Sequence, residues 1–215
     1  MNNTTFIQAF RQSAPYINAH RGKTFVIMLE GKALMSGRPP SIVQDITLLH
    51  SLGIRVVLVY GIRPQIDAAL QQAHLNSDIH LGKRVTSADA LEIIKQVSGK
   101  ARFELEALFS NGLPNTPMFG ANLRTISGNF ITAKPLGVHE GRDYHFTGGV
   151  RKVDESGINH QLNAGNIVLL TNLGYSSTGE CFNLPAEDIA VQTALALKAN
   201  KLIAYGSDEI GRAHV

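Results

Sequence analysis

The sequence of 215 residues has one cysteine, no tryptophan and no marked excess of either charge. The single cysteine, Cys181, excludes a disulfide framework and a four-thiolate zinc site. Lysine and arginine total 20 against 17 acidic residues, with no basic block, so we expect no nucleic-acid partner. No apolar run reaches the roughly 18 residues that span a bilayer, and residues 1–11 have no apolar signal region. We therefore expect no membrane association and a cytoplasmic location.

The sequence does contain a regular alternation of predicted strands and helices. Hydrophobic residues make up 44% and charged residues 17%, a balance that excludes a disordered chain. Buried strands are predicted at 24–29, 54–60, 166–171 and 202–205, and helices at 4–18, 42–52, 64–73, 154–163 and 185–199, with a further long helix capped by Ser87. Short alternating segments with glycine turns over 123–153 are typical of antiparallel hairpins. The pattern predicts an α/β fold, a three-layer αβα sandwich with a mostly parallel sheet and inserted hairpins.

The carboxyl ends of the predicted parallel strands are the expected place for a ligand. Four segments should meet at this rim: 30–37, 61–63, 171–180 and the residues after Tyr205. A strand at 202–205 normally leads into further elements, so we expect the domain, residues 1–206, to be incomplete on its C-terminal side. Residues 209–215, EIGRAHV, read like a translated sequencing-library adapter. We therefore interpret 207–215 as a non-native tail and expect the natural protein to continue.

Several segments resemble the amino-acid kinase family, and more closely its N-acetylglutamate synthase branch. They are PYINAHRGKTFVIML (15–29), LLHSLGIRVVLVYGIRPQID (48–67), KRVTSADAL (83–91), GLPNTP (112–117), SGNFITAKPLGV (127–138) and GECFNLPAEDIA (179–190). The resemblance covers about residues 4–204 and places the segments in the family's order. It implies the amino-acid kinase fold, which agrees with the strand and helix pattern.

The positions that carry phosphate chemistry in active kinases of this family are altered here. Phosphoryl transfer needs close backbone N–H groups and a lysine that offsets charge. The family's Lys-x-Gly-Gly motif falls on residues 28–31, where Met28 replaces the lysine and Glu30 replaces the first glycine. After the second strand, Ile62 interrupts a run of glycines, and we expect its branched side chain to occupy the phosphate position. Met28 is also readable as a plain buried strand residue, and Lys32 as a solvated loop lysine rather than a displaced phosphate lysine.

The resemblance also implies a vestigial acidic-ligand pocket. Its candidate residues are Gly31, Gly61, Arg63, Arg84 and Asn183. In N-acetylglutamate kinases the arginine matching Arg84 grips a substrate carboxylate, but an ion pair beside the helix explains it equally well. Glu187 and Asp188 match the place of an aspartate that organises catalytic lysines, or complement the dipole of their helix. We expect no catalytic residue and no metal site in this chain.

The activity implied by the resemblance is transfer of acetyl from acetyl-CoA to L-glutamate, the first step of arginine biosynthesis. In the family a separate C-terminal domain performs this transfer, so acetyl-CoA is a substrate of a domain absent here and we expect no bound cofactor. The kinase-like domain binds L-arginine as an allosteric ligand and builds a homo-oligomer, commonly a hexamer. Much of the family's arginine site lies beyond the end of this chain. Two alternatives stay open: an ATP-dependent N-acetylglutamate kinase, and a stand-alone amino-acid-sensing module.

The remaining candidates are weaker. Cys181 has no evident His or Asp partner and is expected to be inert. His139, His145 and His160 lack metal-ligand spacing. Residues 174–179, GYSSTG, resemble a phosphate cradle in composition, although a turn explains them as well.

Overall fold

The architecture comes from a computed structural model, which describes residues 3–35, 39–76, 78–112, 116–206 and 210–213. Its helices are α1 (Asn3–His20), α2 (Gly31–Met35), α3 (Pro39–Ser51), α4 (Arg63–Gln72), α5 (Ala88–Phe109), α6 (Glu155–Asn163) and α7 (Ala186–Ala196). Its strands are β1 (Thr24–Leu29), β2 (Arg55–Tyr60), β3 (Asp78–His80), β4 (Lys83–Val85), β5 (Thr125–Ser127), β6 (Ile131–Pro135), β7 (Val138–His139), β8 (Arg142–Asp143), β9 (Gly148–Val153), β10 (Ile167–Leu170), β11 (Leu173–Tyr175), β12 (Cys181–Asn183), β13 (Lys201–Tyr205) and β14 (Ile210–Ala213). Within those ranges, no helix is long and apolar enough to cross a membrane.

The main sheet has the strand order β14-β13-β1-β2-β10-β5. All neighbours from β13 to β5 are parallel, and Ile27 at the centre faces Leu58 on one side and Ile203 on the other. β1 is buried along its whole length, which explains why its sequence is apolar without alternation. These strands confirm the predicted α/β fold with a mostly parallel sheet.

Helices cover both faces of this sheet. Phe25, Ile27 and Leu29 of β1 belong to a first core cluster, which includes α3, α4 and α5. Val26 and Met28 belong to a second core cluster, which includes α6 and α7. Successive side chains of a strand point to opposite faces, so β1 alone joins the two clusters.

A second, smaller sheet has the order β12-β11-β6-β9 and contributes Ile131, Ala133 and Phe182 to the second core cluster. The pairs β6–β9, β7–β8 and β11–β12 are antiparallel, as is the separate hairpin β3–β4. The predicted hairpins within 123–153 are therefore confirmed, with one correction. β5 pairs parallel with β10 at the edge of the main sheet. A three-residue strand is too short for its pattern to indicate its partner.

Local boundaries differ from the prediction at three places. α3 begins at Pro39, so Ser41 lies inside the helix rather than capping it. The predicted loop 30–37 contains the short helix α2, and 171–180 contains β11. The predicted cap at Ser87 is confirmed, because its hydroxyl accepts a hydrogen bond from the backbone N–H of Ala90 at 3.2 Å.

The predicted tail is only partly within the described residues. β14 pairs antiparallel with β13, with Leu202 opposite Ala213 and Tyr205 opposite Ile210. This pairing covers the outer edge of β13. Residues 207–209 and 214–215 lie outside the described ranges, and the non-native origin of 207–215 stays a prediction.

Candidate functional site

A cavity of about 320 Å³ lies at the carboxyl ends of β1 and β2, and we call it the rim cavity. Its wall also includes residues of β4, β12 and the start of α7. All the predicted pocket residues line it: Gly31, Gly61, Arg63, Arg84 and Asn183. The tertiary structure therefore brings together residues that are up to 152 positions apart in the sequence, from Gly31 to Asn183.

Two glycines form the part of the cavity wall where β1 and β2 end, and their packing differs. A Cβ at Gly31 would lie 2.7 Å from both Pro64 Cδ and Gln65 Oε1, whereas a Cβ at Gly61 would meet nothing closer than 3.6 Å. The N–H of Gly61 donates to the carbonyl of Leu29 at 2.8 Å, and Gln65 Nε2 donates to the carbonyl of Gly31 at 2.8 Å. Gly31 is thus required by packing, and the N–H of Gly61 is already used within the protein.

Arg84, on β4, forms an ion pair with Asp67. Its side chain is 6% exposed, and its Nη2 lies 2.6 Å from Oδ1 of Asp67, on α4. This is the ion-pair alternative that the sequence left open. The pair ties the β3–β4 hairpin to α4, so a ligand carboxylate would have to share the guanidinium with Asp67.

Asn183 belongs to a buried polar network that the sequence analysis did not find. Its Nδ2 donates to Thr86 Oγ1 at 3.1 Å, and its Oδ1 accepts from Asn172 Nδ2 at 2.9 Å. Thr147 Oγ1 lies 2.8 Å from Thr86 Oγ1 and also donates to the carbonyl of Arg84. Asn172 and Thr147 line the rim cavity as well. The position of Asn172 just after a buried strand was a usable signal, but Thr147 had none.

Both acidic and basic groups line the rim cavity. Arg63 and Lys32 are exposed cations in its lining, and Lys32 lies in α2 rather than in a loop. The carboxylate of Glu30 packs at the end of β13, since a Cβ at Gly206 would lie 2.8 Å from its Oε2. Glu30 also lines the cavity, so a carboxylate lies in its wall.

The acidic residues at the start of α7 divide between two roles. Asp188 pairs with Lys83 at 3.5 Å, and Glu187 lines the rim cavity. Both lie in the first turn of α7, where negative charge complements the helix dipole. The position of Asp188 in the first turn of α7 agrees with the interpretation that it complements the helix dipole.

Met28 and Ile62 both pack in the hydrophobic core and line the rim cavity. Met28 is 8% exposed, belongs to the second core cluster and also lines the rim cavity, so the plain buried-strand reading describes its packing. Ile62 is 1% exposed and belongs to the first core cluster. Ile62 also lines the rim cavity, between Gly61 and Arg63, so it packs in the core and forms part of the cavity wall. That its side chain occupies the phosphate position stays a prediction.

The weaker candidates have structural explanations. Cys181 is half-buried, and burial raises the pKa of its thiol, which keeps it protonated and poorly nucleophilic. Residues 174–179 belong to the β11–β12 hairpin, where the N–H of Ser176 donates to the carbonyl of Glu180 at 2.8 Å. Among the described residues, no three His, Cys, Asp or Glu side chains converge as a metal site would require.

Known proteins similar to this chain match it over nearly its whole length. The model of the amino acid kinase family matches residues 23–209. An amino-acid acetyltransferase of Photobacterium profundum is 51% identical over 209 residues, which are 97% of this chain and 47% of that protein. One from Pectobacterium carotovorum is 50% identical over 207 residues, covering 96% of this chain and 47% of that protein.

A solved structure also matches nearly all of this chain over only about half of its own length. N-acetylglutamate synthase from Neisseria gonorrhoeae, complexed with coenzyme A and L-arginine, superposes with a TM-score of 0.87 at 36% identity. The superposition covers 96% of this chain and 49% of that one. The chain thus spans about half the length of these relatives. The family match over most of the sequence, on a parallel sheet of the expected kind, shows that this chain belongs to the amino acid kinase family.

Proposed function

We propose that this chain is the kinase-like half of an N-acetylglutamate synthase. The whole enzyme transfers acetyl from acetyl-CoA to L-glutamate in the cytoplasm, the first step of arginine biosynthesis, and a separate acetyltransferase domain carries the chemistry. One observation carries the proposal: an amino-acid acetyltransferase is 51% identical across 97% of this chain, yet the match takes up only 47% of that relative. The unmatched half has the room for a catalytic domain.

The rim cavity supports a non-catalytic role for this half. Phosphoryl transfer requires a cation and free backbone N–H groups near the phosphates. Here a thioether, Met28, and a carboxylate, Glu30, line the cavity, and the N–H of Gly61 donates to the carbonyl of Leu29. The cavity does contain cations, among them the exposed Arg63 and Lys32, but an ATP phosphate at the ends of β1 and β2 would meet the carboxylate of Glu30 and find the N–H of Gly61 already engaged. We therefore infer a vestigial acidic-ligand pocket rather than a kinase site.

Enzyme assays on the 215-residue protein test this role directly. We expect no acetyl transfer from acetyl-CoA to L-glutamate and no ADP release with N-acetyl-L-glutamate and ATP. Met28→Lys is the informative variant, because it restores only the lost cation. We expect it to remain inactive, since Glu30 and the engaged N–H of Gly61 persist. Turnover in either assay with the unaltered chain would contradict the proposal.

The gene sequence downstream of the codon for Tyr205 separates the proposal from a stand-alone sensor. An in-frame acetyltransferase region supports the synthase, whereas a natural stop codon supports the sensor. In the extended protein, we expect L-arginine to change the acetyltransferase rate, with D-arginine as the control. A rate that is independent of L-arginine would remove the sensing part of the proposal and leave the synthase part intact.

Oligomer formation is the other role that we propose, and α1 supports it. Three of its apolar side chains are uncovered in the single chain: Ile7 is 48%, Phe10 63% and Tyr16 46% exposed. An amphipathic helix with an uncovered apolar face commonly packs against a partner. Light scattering on the Phe10→Glu variant should therefore give a smaller mass than the unaltered chain, with Gln8→Glu, also on α1, as control.

A further inference from the structure

A second cavity, of about 540 Å³, lies where β2, β5 and β10 end against α5. Its wall includes Tyr60, Lys95, Ser98, Arg102 and Ser127. It shares no lining residue with the rim cavity. The carboxyl ends of parallel strands are where α/β proteins bind ligands, and this cavity occupies that position independently of the rim cavity.

The ionisable lining of the second cavity is positive. Lys95 and Arg102 contribute two cations, and no Asp or Glu is among the lining residues that the structure describes. Each cation is paired with a carboxylate of α5 outside that lining, Glu92 and Glu106 respectively. Burial raises the pKa of Tyr60, Tyr175 and Cys181, so these groups stay neutral at neutral pH. The phenol and thiol groups therefore add hydrogen-bonding capacity without cancelling the positive charge.

Two polar atoms of this lining are buried without a hydrogen-bond partner among the described residues. They are the hydroxyl oxygen of Ser127 and Nε of Arg102. Buried polar groups are normally paired, so the Ser127 hydroxyl calls for an explanation, as does an Arg102 Nε that has an ion-pair contact but no hydrogen bond. Arg102 Nε lies 3.5 Å from Glu106 Oε1, an ion-pair distance, and Lys95 Nζ lies 2.6 Å from Glu92 Oε1. An anion entering the cavity would pair with the Ser127 hydroxyl and Arg102 Nε, and would compete with Glu92 and Glu106 for the two cations.

Apolar side chains from three strands complete the wall: Ile131, Leu169, Leu170 and Leu173. A fully hydrated inorganic ion gains nothing from such a surface, whereas an anion with an apolar body does. The lining thus combines oxyanion donors with apolar contact area.

We propose that the second cavity binds a small organic anion, with its carboxylate or phosphate group between Arg102, Lys95 and Ser127 and its apolar body against the strand residues. This inference goes beyond the proposed function, because it concerns a different cavity and does not depend on acetyl transfer.

The buried network gives this site a physical connection to the rim cavity. Ser98 Oγ, in the second cavity, lies 3.0 Å from Asn172 Oδ1, and Thr171 Oγ1 donates to the same oxygen at 2.8 Å. Asn172 in turn donates to Asn183 in the rim cavity. A ligand that reorients the Ser98 or Thr171 hydroxyl therefore acts on a hydrogen-bond chain that reaches the first site.

Calorimetry and amide NMR titration of the 215-residue protein test the proposal with three probes of similar body. Phenylacetate carries a carboxylate, phenyl phosphate a phosphate, and 2-phenylethanol no charge. We expect at least one anion to bind and shift the amides of Ser98, Ser127 and Thr171, while 2-phenylethanol binds at least about tenfold more weakly. The relative affinities of the two anions identify the preferred head group.

Arg102→Gln should weaken binding of the preferred anion at least about tenfold, and Ser127→Ala should weaken it several-fold. Lys100→Gln is the matched control on the same helix, because its side chain is 78% exposed and lies outside the cavity. Thermal unfolding of each variant verifies that it is folded. If Arg102→Gln does not fold, Ser127→Ala still tests the proposal. Absence of binding by both anions, equal binding of 2-phenylethanol, or equal weakening by Lys100→Gln overturns the proposal.

Discussion

Replacing Gly31 by alanine tests the steric account of the rim cavity. The added Cβ would lie 2.7 Å from Pro64 Cδ and 3.0 Å from the carbonyl oxygen of Gly61. Carbon atoms in contact normally lie about 3.5–4.0 Å apart, and the proline ring cannot rotate away. The backbone of α2 or α4 must therefore shift.

The magnitude follows from two opposing effects. Overpacking of a filled site costs about 1–3 kcal/mol. Loss of glycine's freedom in the unfolded chain returns about 0.4–1 kcal/mol. We expect a net loss of roughly 1–2 kcal/mol, which for a chain of this length lowers Tm by about 2–8 °C.

Gly61→Ala is the matched control, four residues from Gln65 and on the same wall. Its Cβ would meet nothing closer than 3.6 Å, and neither glycine has a positive φ. We expect Tm to stay unchanged or to rise by about 1–4 °C. Scanning calorimetry on both variants decides the matter. If Gly31→Ala is as stable as Gly61→Ala, the packing explanation for Gly31 is refuted.

The remaining predictions concern the buried network and a helix cap. Asn172→Ala removes the donor to the buried Asn183 Oδ1, and we expect urea unfolding to show a loss of about 1–3 kcal/mol, against about 0.5 kcal/mol or less for the exposed Asn122→Ala. An equal effect of both variants would contradict the network's importance. Asp154 caps α6 by accepting from the N–H of Gly157 at 3.0 Å, so Asp154→Ala should cost about 1 kcal/mol at pH 7. That hydrogen bond lowers the pKa of Asp154 in the folded state, so its stabilisation is present above the unfolded carboxyl pKa of about 3.9 and is lost as pH falls through the folded pKa. The Tm difference between the two proteins should therefore shrink below about pH 4, and a difference that is constant with pH would refute this assignment.

The structure agrees with the sequence-based prediction where local interactions dominate. The apolar run 54–60 predicts a strand that is buried on both faces, and Arg55–Tyr60 forms β2 at the centre of the sheet. Ser87 predicts a helix start, and its side chain caps α5. These features depend on residues a few positions apart, so their pattern is visible in the chain itself.

Residue identity alone was a poor guide to how the site residues are used. The sequence placed Gly31 and Gly61 at one rim but suggested the same role for both, whereas only Gly31 is sterically required. It placed Ile62 in the site, but only the structure shows that this residue lines the cavity and packs in the core at the same time. Both points concern packing, which depends on neighbours supplied by other elements.

The sequence by itself determined the strand and helix alternation and the mostly parallel sheet. Only the tertiary structure decided that β5 lies beside β10, that Arg84 pairs with Asp67, and that Asn172 joins two cavities. The physical reason is distance along the chain. Periodicity and capping arise within a few residues, whereas a pairing such as Ser98 with Asn172 forms only after the elements between them have packed.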